Sequence, residues 1–151
     1  MAGVLEGMER EFASAIAMAL ADGKGFITLG SLDTSLLGEA FGELNTSEII
    51  LTGERYNHIA TRHPEDLHMF VNHAHLAILS PDEILVDSRR GASAIYLRQI
   101  GDYHLAVYVR LSQGAEEIAR SNSIITSHVL RAYSLNQLRK RNPLVYTQND
   151  L

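Results

Sequence analysis

No cysteine occurs in the 151 residues, which excludes disulfides and thiolate metal sites. No apolar run approaches the roughly 20 residues that a membrane-spanning helix needs, so no membrane association is expected. The opening residues, Met1 to Arg10, are acidic rather than basic, and no small-residue cleavage pattern follows a strong apolar stretch. A secretory leader is therefore not expected. These absences fit a cytoplasmic protein. Internal repeats, low-complexity tracts and linkers are also missing. The length suits one domain with a real core, apart from residues 1–25, which read as an N-terminal helix or docking extension ahead of a domain over 26–151.

Charge is present but uneven. Residues 1–50 hold eight acids and two bases, whereas residues 51–151 hold ten acids and eleven bases, ten of them arginine. Arginine's planar fork matches phosphate better than lysine's point charge does. The net charge of −5 argues against strong non-specific binding to long nucleic acid. It leaves room for a local phosphate site.

Val4, Leu5, Met8, Phe12, Ile16, Ala19 and Leu20 recur at helical spacing, so residues 3–22 read as an amphipathic helix that Gly23-Lys24-Gly25 stops. Short strand candidates follow at 26–29 and 48–51, with a short helix at 34–42 between them. Helices are expected at 53–63 and 65–79. Pro64 ends the first because a proline disfavours α geometry in the residue before it, and Ser80-Pro81 ends the second. Beyond Pro81, residues 83–87, 93–100, 103–111 and 123–130 are rich in strand formers, and Gly101-Asp102 predicts a tight hairpin. Ser134 is the expected cap of a helix over 135–141, and residues 144–146 form a last strand candidate. Helices first and strands afterwards predict an α+β domain, with helices packed on an antiparallel sheet of about four to five strands.

The stretch Tyr56 to Glu65 is the richest in chemistry. His58 and Arg62 are four apart and share a helix face. His63 stands where the chain leaves that helix. Such a cluster can bind an anion or move a proton near neutral pH. A second polar stretch, Ser121 to His128, carries Thr126, Ser127 and His128. Strict alternation would put Ile124, Thr126 and His128 on one face of this strand. His128 suits a general acid or base, and Thr126 can donate to a phosphoryl oxygen.

Alternation also predicts a platform on one sheet face made of Tyr96, Arg98, His104, Tyr108 and Arg110, with Ser127 beside it. Rings stack bases and guanidinium groups hold phosphates in single-stranded RNA binding. An ordinary half-exposed sheet accounts for the same residue types. Histidines at 58, 63, 68 and 73 suggest a metal at first sight. Five-residue steps turn each side chain by about 140° from the last, however, so they share no face, and no His-Glu-x-x-His pattern occurs. No metal or other cofactor is expected.

With the helix ending His58-Ile59-x-x-Arg62-His63-Pro64-Glu65 and the strand Ser123 to Ser127, the chain resembles a phage-associated branch of the barnase–EndoU–colicin E5/D–RelE superfamily. The resemblance covers about residues 27–147 and includes the closing helix with Leu144-Val145-Tyr146. It implies a small α+β domain with helices on one side of an antiparallel sheet. It also implies metal-independent endoribonuclease action, as a toxin or phage effector, with His58, Arg62, His63 and Thr126 in the active site. RNA is then the substrate and an immunity or antitoxin protein the expected partner. No glutamate stands clearly in the place of a barnase-type base.

The expected reaction is attack by the RNA 2′-hydroxyl, leaving a 2′,3′-cyclic phosphate. His58 or His63 takes the proton, Arg62 and Thr126 stabilise the phosphorane charge, and His128 or the remaining histidine protonates the leaving 5′-oxygen. The competing expectations are a module that binds RNA or protein without cleaving, and a metal-dependent hydrolase.

Overall fold

The computed structural model describes residues 25–114 and 120–148. The helix expected over residues 3–22 lies outside them. The strands in chain order are β1 (Phe26–Ser31), β2 (Glu48–Thr52), β3 (Glu83–Val86), β4 (Ser93–Ile100), β5 (Tyr103–Arg110), β6 (Asn122–Leu130) and β7 (Leu144–Thr147). The α-helices among the described residues are α1 (Gly53–Arg62), α2 (Leu67–Leu79) and α3 (Ala132–Arg141). The class is α+β, as expected.

The sheet is larger than expected. All seven strands join it, in the order β1-β2-β6-β5-β4-β3-β7. It is mixed rather than antiparallel, because β2 and β6 run parallel through Ile49 opposite Asn122 and Ile50 opposite Ser123. Asn122 makes this junction. Its buried amide donates to the carbonyls of Thr46 and Glu48 and accepts the N–H of Ser112. A pairing between segments some seventy residues apart in the chain has no local signature; the two strands before α1 fall where short strand candidates were expected, but their place in the sheet was not.

Local signals placed most boundaries. Thr52 caps α1 by accepting the N–H of Arg55 at 3.1 Å, and the helix stops at Arg62 before Pro64. The β4–β5 hairpin turns on Gly101 at φ 61°, a left-handed position that glycine takes without strain. Two expectations fail locally. The helix at 34–42 is a single 3-10 turn, Thr34–Leu37, followed by Gly38 at φ 56°. Ser134 is not a cap: α3 begins at Ala132, with Arg131 at its N-cap, and Ser134 lies inside the first turn.

Helices cover both faces of the sheet, not one. Ile59 of α1 and Phe70, Ala74, Ala77 and Ile78 of α2 close over Ile49, Leu51, Tyr96, Leu105, Val107 and Val109. On the opposite face α3 sets Leu135 and Leu138 against Leu85, Ile95, Leu97 and Ala106. This second core is small, and among the described residues α3 is the one helix packed on that face. No helix among the described residues is long and apolar enough to cross a membrane.

Candidate functional site

Residues directly opposed in an antiparallel pair share a face. Tyr96 opposes Val107 and Arg98 opposes Leu105, which puts both on the face covered by α1 and α2. Ile95 opposes Tyr108 and Leu97 opposes Ala106, on the open face. The expected platform is therefore split between two faces. Tyr96 is a core residue, 1% exposed, and its hydroxyl has no hydrogen-bond partner. Burial, with the Asp33 charge, pushes that phenol far above its ordinary range. Arg98 donates to the carbonyl of Ser80, beyond the C-terminus of α2. His104, Tyr108 and Arg110 alternate onto the open face.

A bulge resets β6. Tyr108 opposes Thr126 and Val109 opposes Ile124, so Ile125 is the extra residue. One inserted residue turns the residues after it to the other face. Thr126 and His128 join Tyr108 and Ala106 on the open face, while Ile124 enters the main core. The expected grouping of Ile124 with Thr126 and His128 is corrected accordingly. Ser127 opposes Val107 on the covered face and is buried with its hydroxyl unpartnered, so it lies away from the open surface.

Past Ser123, no strand among the described residues pairs with β6 on its β2 side, and the segment leaving α1 meets that edge instead. Asp66 accepts the N–H of Val129 at 3.2 Å, satisfying a backbone donor that the sheet leaves unpaired. This contact carries His63 round the edge to the open face. Its ring meets that of His128 edge-on, with centroids 4.4 Å apart and planes at 81°. On the other side of His128 stands Tyr108, with centroids at 5.5 Å. The guanidinium of Arg90 lies 5.4 Å from the Tyr108 ring centre, and Asp87 holds it through a 2.9 Å ion pair. The result is a continuous row: Asp87, Arg90, Tyr108, His128, His63.

Asp87 is buried in the loop between β3 and β4. It also accepts from the N–H of Arg89 and the hydroxyl of Ser93. The loop holds Ala92 at φ 50°, the one non-glycine at positive φ among the described residues. Ser88 ties the loop to the end of α3, its hydroxyl donating to the Arg141 carbonyl and its N–H to Asn142.

The electrostatics of the row favour a neutral His128 near pH 7. Burial lowers its pKa, and the charges of His63, Arg90 and His58 lower it further, against an opposing pull from Asp66. Burial and the Asp87 charge raise Tyr108, so its hydroxyl keeps its proton. His104 lies at the hairpin end of β5 and is lowered by burial and by Arg139.

The sequence-expected residues thus divide. His63, His128, Tyr108 and Thr126 converge on the open face, although Thr126 is buried. His58 and Arg62 share a shallow hollow on α1 with Glu54, Arg55, Asn57 and Thr61. The charge of His58 reaches His128, whereas no hydrogen bond, ion pair or ring contact joins Arg62 to the row. Arg110 lies at the far end of the face, opposite Ser123 and beside a hollow that also includes Thr52 and Arg120. The residues missed by sequence reasoning are Asp66, Asp87 and Arg90. In sequence Arg90-Gly91 is a turn signal, and nothing local to Asp66 marks it as a partner of β6. His63, Glu65 and Asp66 also bring donor atoms within 4.8 Å of one another, so they could hold a cation.

Fold and site together define a class: an α+β protein with an imidazole pair at the edge of an open sheet face. Comparison of the chain with protein-family models, curated proteins and solved structures finds no match.

Proposed function

We propose that the chain is a metal-independent endoribonuclease of the barnase–RelE-like kind, toxin- or phage-effector-like in role. The observation that carries this reading is the edge contact between His63 and His128 on the open sheet face. Two imidazoles supply both proton transfers that 2′-hydroxyl attack requires. His128, held neutral by burial and by the charge of His63, is the base and takes the 2′-hydroxyl proton. The 2′-oxygen bonds to phosphorus as the bond to the 5′-oxygen breaks. His63 protonates that leaving oxygen. The products are a 2′,3′-cyclic phosphate and a 5′-hydroxyl. Arg90 supplies the cation for the phosphorane charge, and the Tyr108 hydroxyl a neutral donor. Arg62 and His58 extend the cationic surface along α1 rather than touch the reacting atoms. An immunity or antitoxin protein is the partner such an enzyme requires in its own cell.

The test is incubation of purified protein with mixed RNA in the presence of a chelator, with the fragment ends analysed. Cyclic-phosphate ends are expected, with a loss of about 100-fold or more in His128→Ala and in His63→Ala. RNA retained without any product at several pH values would move the reading to a non-catalytic binding module. A second reading rests on the His63, Glu65 and Asp66 donors: a metal-dependent hydrolase. Cleavage abolished by chelator and restored by a divalent cation, with Glu65→Gln inactive, would establish that reading instead.

A further inference from the structure

Between α3 and the open face lies a groove of about 420 Å³, large enough for one nucleotide, with His128 on its wall. Apart from His128, none of its lining residues belongs to the histidine motifs. Arg89 and Arg90 come from the β3–β4 loop and Arg141 from the end of α3. Tyr108 forms part of the floor. Tyr133 stands on the rim, 76% exposed. Cations near a helix C-terminus are favoured by the macrodipole alone, which accounts for Arg141. It does not account for two more arginines on the facing loop. Among the described residues Asp87 is the one acid on the groove wall, and it is already engaged by Arg90, Ser93 and a backbone N–H. The groove therefore carries surplus positive charge, held in place by the Ser88 contacts to α3.

We infer that this groove is a nucleotide subsite: Arg89 and Arg141 hold a phosphate, and a base stacks on Tyr133. Its place beside His128 would seat the nucleotide next to the one being cleaved, so the inference rests on the ribonuclease reading for its role but not for its binding. Planar guanidinium groups favour phosphate oxygens, and an exposed tyrosine ring stacks any base. The subsite is thus expected to bind all four bases with little preference.

The experiment is titration of the full chain with each of the four ribonucleoside 3′-monophosphates, inorganic phosphate and poly-glutamate. These nucleotides lack a bond to a leaving 5′-oxygen, so binding is read without turnover. Arg89→Gln and Arg141→Gln should each weaken nucleotide and phosphate alike, by about tenfold. Tyr133→Ala should weaken the nucleotides by about tenfold and leave phosphate unchanged. All three positions are exposed, so loss of fold does not confuse the result. The inference is overturned if the nucleotides do not bind, if Tyr133→Ala leaves their affinity intact, or if poly-glutamate binds as tightly. Groove-dependent nucleotide binding with no cleavage of RNA would uphold the subsite and sink the ribonuclease reading. Cleavage that needs His128 while the groove variants leave nucleotide binding unmoved would do the reverse.

Discussion

Tyr96 and Tyr108 sit on adjacent strands and face opposite ways. Tyr96 enters a face closed by α1 and α2, its ring packed in apolar side chains and its hydroxyl without a partner. Tyr108 enters a face that α3 covers only in part, between a guanidinium and an imidazole. The same residue type serves packing on one face and a polar row on the other. The difference shows that polar and ring side chains gather where, among the described residues, helical cover is partial. An apolar face needs continuous cover. A partly covered face leaves side chains that are dry enough to shift a pKa yet still reachable.

The largest effect should come from the closed face. Phe70→Ala removes a fully buried ring from its centre and should lower stability by about 3–5 kcal/mol in urea unfolding, whereas Tyr133→Ala on the open side should stay within about 0.5 kcal/mol. Equal effects would mean that the two faces do not differ as described. Next comes the buried carboxylate beneath the polar row. Asp87→Ala strands the Ser93 hydroxyl and releases Arg90, so a loss of about 1.5–3 kcal/mol is expected by the same measurement. Asp87→Asn, which keeps the shape, should recover part of it.

A smaller effect comes from pH. Burial and then the charge of His63 hold the His128 pKa below its ordinary 6.5, and His104 is lowered likewise. Between that lowered value and the unfolded one, the folded state binds fewer protons than the unfolded chain. This contribution to stability is complete above the unfolded value and is lost as pH falls through it toward the folded one. Urea midpoints should therefore drop between pH 7.5 and 5, and His128→Gln should flatten the slope. An unchanged slope in that variant would remove His128 as a source. The smallest effect separates the two tyrosines. Tyr96→Phe deletes an unpartnered buried hydroxyl and should leave stability level or raise it by about 1 kcal/mol. Tyr108→Phe should leave stability near that of the parent and, on the proposed ribonuclease reading, lower RNA cleavage.

Much of the local structure was legible in advance. Pro64 marked the end of α1, Gly101-Asp102 marked the hairpin, and β4 spans residues 93–100 as the strand-forming run implied. Less of the candidate site was legible. His63 and His128 stood out as residues, but nothing in their neighbourhoods says that they touch. Ile125 resembles any other strand residue, yet as the bulge it decides that Thr126 and His128 look out and Ser127 looks in. Arg90 carries only a turn signal in sequence, and its contacts with Asp87 and Tyr108 arise from the fold.

By itself the sequence determined the end of α1, the span of β4 and its hairpin turn, the apolar face of β5, and that imidazoles, arginines and hydroxyls cluster in two stretches. Caps, turns and periodicity act over a few residues, so the chain carries them in plain view. Only the tertiary structure decided the parallel junction at Asn122, the helix on the second face and the meeting of His63 with His128 across the edge of β6. Those depend on pairings between distant segments and on the register of one bulged strand. A shift of a single residue in that register turns every side chain to the opposite face.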